Sequence, residues 1–382
     1  MIDSAAISCS IFGSVAEVPQ DMWNALSGPQ PFVRHEFLLA LEESGSVGEG
    51  TGWRPEPLVV HEDGRLAALV PLYRKAHSYG EYVFDWAWAR AYQNAGLDYY
   101  PKLIAAIPFT PVTGPRFLCG ETPRRAVLMQ AATKALRTHA ARTGASSVHW
   151  LFTTDDDSTG LAQEGFARRS AFQFHWHNAG WSNFSDYLAA LSAAKRKNIR
   201  RERRQVADVG VRYTFYEGVD LNEGLWDVFY DLYLATIAKY GAIPYLTRAF
   251  FSHIGATVPG VILLLGTQGN RIVAGALFFR DATTLYGRYW GALAALPGLH
   301  FETCYYQAID YCLTHGLERF EAGAQGEHKL SRGFLPTPTY SMHWLDHPRF
   351  HSAVDDYLAR ENAGLEIILN DLNAHTPFRK PS

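Results

Sequence analysis

The stretch at 58–72, LVVHEDGRLAALVPL, returns about 206 positions later as LLGTQGNRIVAGALF, with Arg271 standing where Arg65 stood. Each copy is two apolar runs around a Gly-containing turn, the pattern of a β-hairpin. An aromatic strand follows in each half, EYVFDWAWA (81–89) and TLYGRYWGA (284–292), with the composition of a pleated, half-buried surface. A helix comes next. The first, 123–144, puts Val127, Ala131, Ala135 and Leu136 on one face and ends at Gly144; the second, 301–316, spaces Cys304, Ala308, Ile309 and Cys312 helically and ends at Gly316. Strands at 145–152 and 317–323 close the two units. Hairpin, strand, helix, strand, twice over, suggests two copies of one α/β unit rather than a chance co-occurrence of common elements, and mixed, mainly antiparallel sheets flanked by helices are expected. The expected domains are 1–180 and 181–382, and a length of 382 residues agrees with two cores better than one.

The segment between the halves is the most charged part of the chain. From Ser185, a candidate N-cap, to Gly210, a candidate stop, one helix is expected, with Tyr187, Leu188 and Leu191 as its apolar stripe. It then carries Lys195, Arg196, Lys197, Arg200, Arg201, Arg203 and Arg204 against a single Glu202. Arg196 and Arg200 are one turn apart, with Arg203 and Arg204 a turn further, so the helix presents a positive ridge suited to phosphate, pyrophosphate or an RNA backbone. A solvated face explains most such runs, and it explains Asn198 least well. A second aromatic helix follows, with Trp226, Phe229, Tyr230 and Tyr233 in register. The chain ends in an amphipathic helix at about 350–375 that can pack back on the first domain.

Composition narrows the function classes. A hydrophobic share of 47% with 19% charged residues describes a folded globular protein, and a net charge of −3 excludes a general DNA or RNA sponge, so any basic site is local. The four cysteines, Cys9, Cys119, Cys304 and Cys312, show no metal-ligand spacing and no disulfide framework; no metal is expected, and a reducing cytoplasm is the simpler compartment. The N-terminus lacks the basic start and apolar run of a signal peptide. No apolar run reaches the ~20 residues of a membrane span. His35, His61, His149 and His253 read as structural or exposed.

The densest chemistry lies at 321–334, EAGAQGEHKLSRGF. Gly323 and Gly326 allow backbone N–H groups to approach a ligand, and Gln325 can donate and accept at once. Lys329 and Arg332, three apart, are suited to a phosphate. Glu327 or His328 can act as a base, with nothing in the sequence to choose between them, and Glu321 is a further candidate. The strand LYGRYWGA adds a third region. Simple alternation puts Tyr286, Arg288 and Trp290 on one face and Gly287, Tyr289 and Gly291 on the other, so Arg288 either lines a cleft or pairs with a carboxylate. In the first half, DWAWARAYQNAG (85–96) either lines an acceptor pocket or belongs to the core.

Taken together, AAKRKNIRRERRQVADVGV, the hairpin RIVAGALFFR, the strand TLYGRYWG and GAQGEHK with its Gly-Phe end resemble the second domain of Fem-type transferases. The segment PFVRHEFLLALEESGSVGEGTGWRPEPLVV resembles their entry segment. The resemblance covers nearly the whole chain and is strongest to the bacterial Fem-like branch of N-acyltransferases. It implies two tandem GNAT-like, acyl-CoA N-acyltransferase domains, and transfer of an acyl group from acyl-CoA to a small-molecule amine, N-acetyl transfer included. Donor and substrate contacts would come from Arg196, Asn198, Arg200, Arg288, Tyr289, Gln325, Gly326, Lys329 and Arg332. The rival donor in the family is aminoacyl-tRNA, and a second rival is a binding protein of the same fold without turnover. Two departures bear on these readings. No Q/R-x-x-G-x-G/A loop precedes the helix at 301, and the long helical hairpin of Fem ligases is missing.

Overall fold

The computed structural model describes residues 6–324 and 326–379. The chain forms two compact units, one of residues 1–171 with 338–367 and one of 172–337 with 368–382. Each is built from two pieces of chain, where the sequence reading drew one cut near residue 180. The closing helix Pro348–Ala374 is shared accordingly, to Ile367 in the first unit and beyond it in the second.

In the first unit the expected hairpin pairs Leu58–Glu62 with Arg65–Val70, and Ile7–Ile11 adds to its outer edge. A second set of strands runs Trp53–Pro55, Leu72–Lys75, Lys102–Ala105, Ser147–Thr153, and then the Tyr340–Leu345 part of Phe334–Leu345. Lys102–Ala105 and Ser147–Thr153 are parallel, joined through the helix Arg125–Thr143. Two expectations change here. The aromatic run at 81–89 is not a strand: Trp86–Asn94 is a helix, because Trp88 and Tyr92, four apart, bury against Tyr99, Leu345 and Leu358 while Arg90 and Ala91 between them face out. These residues therefore act as core, and Asp85 just before them bonds the buried Lys102 and, at 2.6 Å, the Tyr99 hydroxyl. The buried stripe of Arg125–Thr143 includes Leu128, Ala132 and Leu136; of the expected face Leu136 is buried, whereas Val127 is exposed.

The second unit repeats the plan. Strands run in the order Val211–Glu217, Val261–Gln268, Arg271–Arg280, Thr284–Ala292, Arg319–Glu321, and then the His175–His177 part of Ala167–His177. Thr284–Ala292 and Arg319–Glu321 are the parallel pair, joined through the helical stretch Leu299–Thr314. That stretch packs on one sheet face, where Tyr305, Ile309 and Cys312 meet Phe278, Leu285 and Phe320. Glu223–Lys239 packs on the strand Thr284–Ala292 so closely that a Cβ on Gly291 would fall 1.9 Å from the Leu232 carbonyl oxygen; only glycine fits there. The single basic helix expected from Ser185 is two, Phe184–Ala190 and Ala193–Asp208. The cap of the first is Asn183, whose side chain accepts from the Ser185 and Asp186 amides.

Candidate active site

The parallel pair is where the two units differ. In both, only three residue pairs hold the parallel strands together before they part, Leu103 to Ala105 with Val148 to Trp150, and Thr284 to Tyr286 with Arg319 to Glu321. In the first unit the chain's own loop fills the parting. Gly114 N–H donates to the Phe152 carbonyl at 3.0 Å, and the fully buried Arg116 donates through Nε to Leu151 O at 2.9 Å and through Nη2 to Val112 O at 2.7 Å. In the second unit the strands part around a cleft of about 80 Å³, lined by Ala276, Phe278, Gly287, Arg288, Tyr289 and Trp290 on the strand side and by His300, Cys304, Tyr305 and Gly323 opposite.

A β-bulge shapes that cleft. Phe278 pairs with Gly287 but Leu277 pairs with Tyr289, so Arg288 is the extra residue and the alternation inverts after it. The expected faces are corrected accordingly: Gly287 and Trp290 share the face packed by the helical stretch at 299–314, and Tyr286 and Tyr289 share the other. Trp290 then stacks near His300, with ring centroids 4.3 Å apart, and Tyr289 packs edge-on to Tyr233. Arg288 lies over the Tyr289 ring at 5.3 Å. Glu302–Tyr306 forms a π-turn within the helical stretch, a widening that turns Cys304 and Tyr305 to the cleft.

The loop after Glu321 provides the polar wall. Gly326 has φ +116°, and a Cβ there would sit 2.5 Å from the His328 ring, so glycine lets the chain double back into the short helix Glu327–Arg332. Lys329 is 1% exposed, donates to the Gly323 carbonyl at 2.7 Å, and burial lowers its pKa to about 8. His328 is exposed, with Nε2 2.9 Å from the Tyr305 hydroxyl; partial burial, then Arg332 and Lys329, lower its pKa. His300 beside it is pushed down to about 4, first by burial and then by His328 and the same cations. Both imidazoles are neutral at pH 7. Gln325 and the side chain of Glu327 lie outside the described residues.

Glu321 ends its strand with its carboxyl 3% exposed. Oε1 is 3.3 Å from Arg319 Nε, whereas Oε2 has no hydrogen-bond partner among the described residues, His175 Nε2 standing 3.9 Å away. Burial raises its pKa to about 7, against the opposing pull of Arg319. The next two residues, Ala322 and Gly323, line the cleft.

Arg332 is placed differently from its expected role. Its Nη2 forks onto Glu202 at 3.0 and 2.9 Å, Nε donates to the Tyr306 hydroxyl at 2.8 Å, Nη1 donates to His328 O at 2.8 Å, and the guanidinium lies 3.5 Å over the Phe301 ring. The fork that the sequence offered to a phosphate closes on a carboxylate of the basic helix. Asn198 serves the same joint by donating to Glu202 Oε1 at 2.8 Å. Arg200 is exposed, and Arg196 is half-buried near the Ala189 carbonyl; neither lines the cleft. Sequence reading missed Glu202, Tyr305, Tyr306, His300 and His175. A lone acid in a basic run and two adjacent tyrosines in a buried helix were the available signals. Among the described residues no group of three His, Cys, Asp or Glu side chains is arranged to hold a metal ion, and no helix is long and apolar enough to cross a membrane.

A sequence model of the FemAB-like family, described as peptidoglycan biosynthesis/recognition, matches residues 14–380. A search of curated proteins found no match. Among solved structures, the C-terminal domain of an Agrobacterium fabrum protein named for lysylphosphatidylglycerol synthesis superposes with a TM-score of 0.53 at 12% identity, covering 90% of this chain and 96% of that one. FemX superposes with a TM-score of 0.53 at 10% identity, covering 91% of this chain and all (100%) of its own. At such identities the likeness is one of fold, and the fold is the tandem GNAT-like arrangement.

Proposed function

The chain belongs to the FemAB-like family, and on that premise we propose that its second unit moves an acyl group from a thioester carrier, acyl-CoA, to the nitrogen of a small-molecule amine by direct attack. The observation that carries the reading is the cleft at the parting of Thr284–Ala292 and Arg319–Glu321, with the Lys329 ammonium buried behind the Gly323 wall. The amine nitrogen attacks the carbonyl carbon. A C–N bond forms, the C–S bond breaks, the nitrogen's proton passes to a base, and the sulfur leaves as thiolate to be protonated from solvent. Negative charge grows on the carbonyl oxygen in between. With a pKa of about 8, Lys329 is mostly protonated at pH 7 and supplies positive charge where water is scarce. Glu321 shares the Tyr286 face and adjoins the cleft only through Ala322 and Gly323, so it serves as base through a bridging water: a buried carboxyl with a pKa of about 7 and an unengaged oxygen can accept a proton near neutrality. His328, neutral and bonded to Tyr305, is the second candidate.

Aminoacyl-tRNA is the alternative donor. The names of the similar structures and the exposed Lys195, Lys197, Arg200, Arg201 and Arg204 favour it, because such a row contacts RNA phosphates without reading sequence. An assay of acyl transfer from short- to long-chain acyl-CoAs onto a panel of amines, read by mass spectrometry, tests the main reading. Lys329→Met is expected to lower kcat by up to roughly 10²-fold, less than the loss of a donor in direct contact because the ammonium acts from behind the Gly323 wall, without unfolding the protein. Unchanged turnover in that variant would remove Lys329 from the chemistry.

A further inference from the structure

The helical stretch that backs the cleft has a second hollow on its other side. Within the second unit, Arg203, Arg204, Val206 and Ala207 of the basic helix, Val211, Arg212 and Tyr213 of the first strand, and Glu302 and Gln307 line an open groove of about 500 Å³. Its polar groups divide into two ends. Arg203 is committed to the protein: its Nε donates to Glu302 Oε1 at 3.1 Å, Asp310 is 3.5 Å away, and its guanidinium lies 4.1 Å over Phe184. Arg204 and Arg212 are exposed on the rim and form the cationic end.

Glu302 forms the other end. It is 4% exposed, Oε1 takes both Arg203 and a 2.8 Å bond from Gln307, and Oε2 has no partner among the described residues. A buried carboxylate oxygen without a donor is costly unless something supplies one. Burial accordingly raises the Glu302 pKa despite Arg203. Between the ends, Val206 and Val211 make an apolar wall.

We propose that this groove is a binding site for a small phosphomonoester bearing an amino or hydroxyl group, its phosphate held by Arg204 and Arg212 and its donor by Glu302 Oε2. Arg recognises phosphate through its planar fork, the carboxylate accepts from the amine or alcohol, and a short carbon skeleton spans the apolar wall. The site is separate from the acyl-transfer cleft, and the proposal stands whether or not that reading does.

Calorimetric titration of the full chain with O-phosphoethanolamine, glycerol 3-phosphate, inorganic phosphate and a short single-stranded RNA tests it. At least one of the two phosphomonoesters is expected to saturate one site at least about tenfold more tightly than inorganic phosphate, the difference one charge-assisted hydrogen bond makes. Arg204→Ala with Arg212→Ala should abolish binding of both. Glu302→Gln should reduce the phosphomonoester to the level of phosphate while phosphate still binds, which also reports that this variant is folded. Lys329→Met should change nothing here, so the outcome is distinguishable from that of the acyl-transfer assay. Equal affinity for phosphate and both phosphomonoesters, no saturable binding, indifference to the arginine changes, or tighter binding of RNA would each overturn the proposal.

Discussion

Arg332→Ala is expected to destabilise the second unit by about 3–5 kcal/mol, the range for removing one partner of a buried ion pair. The side chains of Arg332 and Glu202 are 5% and 11% exposed, so the surface value of about 0–1 kcal/mol does not apply. The loss is larger than one contact because Glu202 would keep its charge with only Asn198 and Tyr306 to bond it. The same change frees the end of Glu327–Arg332, since Arg332 also donates to His328 O. Urea denaturation measures the effect. A double change, Glu202→Gln with Arg332→Ala, should recover part of the loss, because no uncompensated carboxylate then remains. A destabilisation below about 0.5 kcal/mol would put the pair in the surface class and remove its positioning role.

Glu321→Gln is expected to reduce kcat by roughly 10²–10⁴-fold, the usual contribution of a positioned base, and to abolish the rise of rate with pH near 7. The carboxylate is the active form, so the wild-type rate should climb through the folded pKa of about 7, and the amide cannot titrate. Linkage gives an independent check. The folded pKa is raised above the unfolded value of about 4.5, so the folded state holds the proton more tightly. The resulting stability is complete below about pH 4.5 and is lost as pH rises through about 7, amounting to about 3 kcal/mol. Glu321→Gln should therefore flatten stability against pH across this window. A rate profile that keeps its rise in the Gln variant would transfer the base role to His328.

The repeat was legible because each hairpin, helix and stop residue carries its own local signal, as with Gly144 and Gly316. The aromatic run at 81–89 misled, since its alternation of Trp and Ala satisfies a strand, whereas Trp88 and Tyr92 satisfy a helix once a core is there to receive them. The inverted faces around Arg288 could not be read at all. A bulge is one extra residue against a partner strand, and the partner is invisible in a periodicity argument. The loop at 321–334 was visible as a concentration of chemistry, yet its use was not. Arg332 meets an acid 130 positions away, and Glu202 looked like an interruption in a run of cations. Partners separate Lys329 from Arg332, both of them buried: one keeps its charge behind the cleft with a single carbonyl, and the other is held from several directions.

The measurement that bears most directly on the cleft is a calorimetric titration of the purified, nucleic-acid-free protein with CoA and with short- and long-chain acyl-CoAs. Saturable binding of at least one acyl-CoA at micromolar concentration, with one site per chain and weakened by Lys329→Met, is the predicted result. No binding across the series would contradict the acyl-CoA reading and turn the search to a charged tRNA, whose affinity should then fall steeply with salt.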